Sequence, residues 1–213
     1  MRLQSLSQRQ TQLTPLLGLL KMMNDKSIST DQVTAGLVMG TRSANIAEAT
    51  GVYKIQCFDK HGNLKWEAES QNLVVNGGLQ DMNAKYFTGS AYTAAWYIGL
   101  YGAAASNNPA AGDTMASHAG WTEIVPYSNA TRPTCTFGTP TTANPSVATN
   151  SASPASYTIN ATATVGGAFL TSNNTKSGTT GILYSAADFG SPGDRTVASG
   201  DTLNVTYTLS LAG

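Results

Sequence analysis

The chain has 213 residues, of which 41% are hydrophobic and only 11% are charged, and its 12 basic and 12 acidic side chains cancel. In an average soluble domain, roughly a quarter of the residues are charged. A chain without a basic excess lacks the positive field that holds nucleic acid or an anionic membrane. We therefore expect no nucleic-acid and no membrane partner, and the length allows one sandwich-sized domain with an appendage or two small domains.

The charged residues are unevenly distributed. Residues 1–88 hold 16 of the 24 charged side chains, and the remainder of the chain is rich in Thr, Ser, Ala, Asn and Gly. This composition favours β structure with hydroxyl-bearing outer faces. No run of about 18 apolar residues, the length that spans a membrane, is present. The segment Pro15–Met23 is apolar except for Lys21. A signal peptide is the alternative for this segment, but no A-x-A site follows closely.

Apolar residues near the N-terminus recur at the spacing of one helical face. Thr14 followed by Pro15 suits an N-cap and a first helical position. A helix of about ten residues is marginal in water on its own, so it must dock on its own domain or on a neighbouring subunit. This apolar stripe is our candidate partner-binding site, and it consists of Leu13, Leu16, Leu17, Leu20 and Met23. We interpret residues 1–50 as an extended arm containing this helix.

From Val52 onward the pattern becomes that of strands. Val52–Phe58 and Leu64–Ala68 flank turn residues and predict a hairpin, and Asn72–Val75 predicts a third short strand. After Asn76-Gly-Gly, which we interpret as a break, the apolar residues of 79–87 predict a short amphipathic helix. Ala95–Tyr101 is the most apolar predicted strand and is expected to be central.

The second half predicts a long loop and further strands. Residues 102–120 are expected to drape over the surface or over a neighbour. The predicted strands are Thr134–Phe137, Ser156–Thr164, Gly167–Thr171, Gly181–Ala186 and Thr202–Leu211. The last is the clearest, because apolar and polar residues alternate along it. Residues 51–213 are thus predicted to form a mainly β, antiparallel β-sandwich or barrel-like domain with one short helix.

No arrangement of reactive side chains predicts an enzyme. His61 and His118 lack zinc-site spacing, and no nucleophile motif is present. Asp194 with Asp201 is the alternative for a calcium site, although isolated loop aspartates usually make turns. We therefore expect no catalytic residue, no cofactor and no metal. Two further groups are expected to be buried, namely the free cysteines Cys57 and Cys135 and the aromatic residues Trp96, Tyr97, Tyr101, Trp121 and Tyr127.

About three quarters of the chain resembles a family of structural proteins from the particles of tailed bacteriophages. The resemblance runs in consistent order through Tyr53–Trp66, Asn72–Leu79, Trp96–Leu100, Tyr127–Pro133, Gly167–Leu170, Gly181–Ala186 and Ser199–Leu209. These segments carry fold motifs and no catalytic motif, and the arm matches none of them.

The resemblance implies a capsid cement or decoration protein that binds the outside of the shell. Its expected partners are the major capsid protein and neighbouring copies of itself, with homo-oligomers on the particle. Its expected location is the virion exterior, and the host cytoplasm during assembly. The alternatives are a component of the tail, the head–tail junction or a fibre, or else a carbohydrate-binding adhesion module.

Overall fold

The structure is a computed structural model that describes residues 47–92, 95–102, 108–189 and 193–213. The Leu13–Met23 stripe lies outside the described residues. The described elements follow in chain order: β1 (Glu48–Phe58), β2 (Leu64–Gln71), β3 (Leu73–Val74), α1 (Asn76–Phe87), β4 (Trp96–Gly102), β5 (Glu123–Ile124), β6 (Thr134–Cys135), β7 (Ser146–Thr149), β8 (Ala155–Thr158), β9 (Ala163–Thr171), β10 (Leu183–Asp188), β11 (Arg195–Val197) and β12 (Thr202–Ala212).

Two antiparallel sheets pack face to face, so the predicted mainly β, sandwich-like fold is confirmed. Among the described residues, the first sheet has the order β2-β1-β12-β7, and β8 also pairs with β12. The second has the order β3-β10-β9-β4-β5, with β11 on β9 and β6 on β4. Side chains from both sheets form one buried cluster, and the Tyr157 hydroxyl donates to the Ile98 carbonyl across it at 2.7 Å.

The first sheet is centred on the pairing of β1 with β12. Their alternating patterns place three residues from each strand in the core, and these six side chains are completely buried: Tyr53, Ile55, Cys57, Leu203, Val205 and Tyr207. The register pairs Tyr53 with Tyr207 and Cys57 with Leu203. The apolar row of one strand therefore lies directly against the apolar row of the other.

The second sheet is covered on both faces. One face meets the first sheet, and the other is covered partly by residues that precede β5. Met115 and Trp121 are buried there, and the Trp121 ring lies 5.0 Å from that of Phe169. Asp113 accepts a hydrogen bond from the Trp121 indole N–H at 2.9 Å. The described part of the 102–120 loop therefore packs on its own domain.

Two pairs of adjacent glycines, a sequence pattern that is typical of turns, lie inside regular elements. Gly166 and Gly167 belong to β9, and Gly77 and Gly78 belong to α1. A Cβ at Gly167 would overlap the Tyr101 ring and the Ala187 carbonyl oxygen, so glycine is required there for close packing and not for a turn. Similarly, a Cβ at Gly78 would overlap the Tyr184 backbone. The helix consequently begins at Asn76, earlier than predicted.

A buried ion pair connects Glu123 of β5 to Arg132 in the segment between β5 and β6. The Arg132 side chain is fully buried and donates to both carboxylate oxygens of Glu123, at 2.8 and 2.6 Å. It also donates to the carbonyl oxygens of Asn173 and Gly178, at 2.8 and 3.1 Å. Because each group is buried, either would be costly to leave without the other.

A second polar cluster connects β2 to the start of β12. The Asp201 carboxylate accepts from Lys65 Nζ at 2.5 Å and from the Ala198 backbone N–H at 2.8 Å. Burial alone would raise the pKa of Asp201, but these donors and the Lys65 charge outweigh it, so this pKa lies below its usual value. The Cys57 thiol lies 3.7 Å away, and burial together with the Asp201 charge raises its pKa to about 11. Cys57 and Cys135 are free and buried, as predicted.

We expect Glu123→Ala to lower the free energy of unfolding by about 3–5 kcal/mol, because it leaves the Arg132 guanidinium buried and unpaired. The matched control is Glu67→Ala, which removes the exposed Glu67–Lys54 pair, whose side chains are 50% and 45% exposed. It should cost no more than about 1 kcal/mol. Urea denaturation of both variants measures the difference, and similar losses would contradict the assigned role.

We expect Asp201→Asn to destabilise the protein at pH 7 more than at pH 3. A carboxylate with a lowered folded-state pKa contributes stability that is fully present above the unfolded value of about 3.9 and is lost as the pH falls through the folded value. Denaturant titrations of wild type and variant across this range measure the gap between them. A gap that does not change with pH would show that the charge of Asp201 contributes nothing to stability.

A candidate protein-binding groove beside the helix

One end of the sandwich exposes large apolar side chains. Tyr86, Phe87 and Tyr92 are 84%, 77% and 80% exposed. The Tyr86 and Phe87 rings are 5.0 Å apart in an edge-to-face arrangement. Leu79 and Leu211 are also exposed. Single exposed apolar residues are ordinary, but a contiguous group that includes aromatic rings marks a candidate interaction surface.

These side chains border a groove with a volume of about 790 Å³. One wall is formed by residues of α1 between Leu79 and Phe87. The opposite wall is the open end of the β1–β12 ladder, where Glu48 pairs with Ala212 and Ala49 with Leu211. The described chain begins at Ala47, which also lines the groove. The first described residue is therefore part of the groove lining.

Packed apolar side chains form the floor of the groove. Trp96 of β4 lies edge-to-face against Tyr184 of β10, with ring centroids 5.4 Å apart. The Tyr184 hydroxyl approaches the Met82 sulfur at 3.0 Å. Leu170 is 1% exposed and joins the groove to the core. The floor is thus part of the folded domain, so the groove needs no rearrangement of the core to accept an apolar side chain.

Three charged residues are among those that line the groove. Asp81 and Lys85, one turn apart on α1, form an ion pair at 3.5 Å, and Glu48 lies on the opposite wall. Burial, with the Asp81 charge, raises the pKa of Tyr184 to about 12, so this hydroxyl is neutral at physiological pH. Most of the other lining residues are apolar or aromatic, so the groove suits an apolar segment of a protein partner.

Local sequence explains both walls. In β12 the alternation that buries Leu203, Val205 and Tyr207 continues to Leu209, which is half-buried, and to Leu211, which is exposed in the groove. The helix ends after Phe87, where the Thr88 hydroxyl donates to the Ala84 carbonyl at 3.0 Å, and Gly89 follows with a φ of 73°. A left-handed residue at this place is a common way to end a helix.

The exposed aromatic residues were not among the candidate functional residues from sequence. Tyr86 and Phe87 are among the apolar residues of 79–87 that predict the amphipathic helix, and both are exposed in the structure. Tyr92 was not part of any predicted element. The sequence does contain a signal that at least one of the two adjacent rings, Tyr86 or Phe87, is exposed. Successive helical residues point about 100° apart, so Tyr86 and Phe87 cannot both lie at the centre of one buried face.

The other candidates have structural surroundings. Tyr101, Trp121 and Tyr127 are buried as expected, whereas Trp96 and Tyr97 are only partly buried. The ring of His118 stacks on Trp121 at 3.9 Å. The Lys65 ammonium lies 2.5 Å from the Asp201 carboxylate, and no group of three potential ligands from His, Cys, Asp and Glu comes together within the described ranges. The sequence alternative of calcium at Asp194 and Asp201 therefore gains no support.

The part of the chain that the structure describes contains no helix with the length and hydropathy needed to cross a membrane. In comparisons with known proteins, no family, no curated protein and no solved structure matches this chain.

We expect Phe87→Ser to change the free energy of unfolding by less than about 0.5 kcal/mol at low protein concentration, because its side chain is exposed. Leu170→Ala, which empties part of the groove floor, should cost about 2–5 kcal/mol. Urea denaturation of the two variants measures this contrast. A large loss from Phe87→Ser would mean that Phe87 packs within the domain and is unavailable to a partner.

Proposed function

We propose that the protein is a structural component of a bacteriophage particle, acting as a capsid cement or decoration protein. It would bind the outside of the major capsid protein shell and stabilise it, without catalysing a reaction. The observation that supports this proposal most directly is the aromatic groove beside α1, on a sandwich of low charge. The particle itself is suggested by the resemblance of the strand and turn segments to phage structural proteins.

The chemistry of the groove supports binding to protein. Tyrosine and phenylalanine are enriched where proteins meet, because they bury a large area at a small cost in conformational entropy. Tyr86, Phe87 and Tyr92 provide such anchors next to a preformed depression. An aromatic side chain that fills a desolvated pocket is the usual centre of binding energy in an interface.

Low charge also fits a protein that is covered by its partners. A nearly neutral surface gives little colloidal protection to a free protein, but this matters less when neighbours cover much of it. On a symmetric shell, moderate contacts also become strong in combination, because a copy that contacts two neighbours binds the second at a high effective concentration. We therefore propose the major capsid protein and neighbouring copies as partners.

Two other functions use the same features. A tail, head–tail junction or fibre component would use the groove in a ring or trimer instead of across a shell. A carbohydrate-binding module would stack sugars on the exposed rings of Tyr86, Phe87 and Tyr92. We place both behind the cement role, since the strand and turn segments resemble structural proteins of phage particles.

The test is the number of copies per particle. We expect quantitative mass spectrometry of gradient-purified particles, from cells that produce this chain, to find it at a level comparable to the major capsid protein. About six to twelve copies would instead indicate a ring-forming tail component. Absence from mature particles would overturn the proposal, and binding on a glycan array that Tyr86→Ser abolishes would favour the carbohydrate function.

A further inference from the structure

We propose that the groove beside α1 receives the Leu13–Met23 segment from the arm of a neighbouring copy. This inference rests on the proposed function, because an arrangement of adjacent copies is what brings one copy's arm to another copy's groove. It goes further by naming the occupant of the groove as a specific apolar segment of the same polypeptide. Each copy would thereby donate one arm and accept another.

The two surfaces have matching chemistry. The segment carries four leucines and a methionine at helical spacing, and the groove offers apolar walls and a floor of Trp96, Met82 and Tyr184. A helix with an apolar stripe binds such grooves through residues at i, i+3, i+4 and i+7. Leu13, Leu16, Leu17 and Leu20 have this spacing.

The point at which the arm joins the domain supports the same occupant. Ala47, the first described residue, lines the groove, and it is preceded by 46 residues. The arm therefore starts beside the surface that needs an apolar cover. In a neighbouring copy the arm is likewise connected at Ala47, beside that copy's own groove.

The length of the connection allows exchange between copies. Between Met23 and Ala47 there are 23 residues, which span roughly 80 Å when fully extended and roughly 25 Å as a flexible chain. A domain of this size has a radius of gyration of about 15 Å. The segment can thus reach the groove of an adjacent copy, and the resulting link adds a contact that a shell of side-by-side copies would use.

The test is a disulfide between two differently labelled full-length copies. One carries Leu17→Cys in the segment, and the other carries Leu79→Cys in the groove wall, where Leu79 is 43% exposed. A disulfide requires the two Cα atoms to lie within about 7 Å. The native thiols of Cys57 and Cys135 are buried and will not compete. The control pairs Leu17→Cys with Leu64→Cys, since Leu64 is 52% exposed and lies outside the groove.

When the two copies are mixed at high concentration with a mild thiol oxidant, we expect the Leu17→Cys and Leu79→Cys pair to form a linked dimer at least about tenfold faster than the control. Equal rates would overturn the proposal. So would an intramolecular disulfide in a single chain with both substitutions, without linked dimers in the mixture, because the arm would then occupy its own groove.

A second measurement covers the case in which no disulfide forms. Sedimentation of the full chain should show concentration-dependent self-association that Leu17→Gln with Leu20→Gln weakens at least about tenfold, and unchanged sedimentation would contradict the inference. Particle binding is scored separately. Copies that decorate particles without arm exchange would overturn this inference alone, whereas arm exchange by a protein absent from particles would overturn the proposed function.

Discussion

The register between β1 and β12 is the constraint on which the rest of the structure depends. Eleven consecutive residue pairs, from Glu48 with Ala212 to Phe58 with Thr202, hold the two strands together. Because side chains alternate between the two faces, a shift of one residue would move every core side chain of one strand to the opposite face. The same register sets the other end of the ladder, where Leu211 and Ala49 form a wall of the groove. Core and candidate site are therefore built from one ladder.

Sequence predicted the features that depend on local alternation. The period-two pattern of Thr202–Leu211 corresponds to β12, and the apolar run at 95–101 corresponds to β4, which lies inside its sheet. The predictions failed where distant residues decide the structure. The Gly166-Gly167 pair reads locally as a turn, yet it continues β9 because the Tyr101 ring requires space there. The short β7 and β11 were likewise missed, since each is defined by its pairing with a distant strand.

The groove was beyond sequence reasoning for a related physical reason. A hydrophobicity pattern shows which side chains favour burial, but it does not show whether the fold supplies enough partners to bury them. Met82 and Phe87 belong to the same helical pattern. The Met82 side chain packs against Tyr184 of the domain, whereas the Phe87 side chain remains exposed. The 100° spacing of helical residues shows that Tyr86 and Phe87 cannot both be buried on one face, but the groove that they border is defined only when the strands and the helix are placed together.

The buried polar interactions of this protein with few charges are separated from the groove. The fully buried Arg132 connects β5 to the 173–178 loop, and Asp201 holds the start of β12 against β2. Both clusters lie among residues other than those that line the groove. These buried polar groups thus lie elsewhere in the domain, while the groove lining is mostly apolar or aromatic. A partner that binds there gains the hydrophobic contribution of the aromatic rings without first disrupting an ion pair of the core, and a preformed site of this kind loses little conformational entropy on binding.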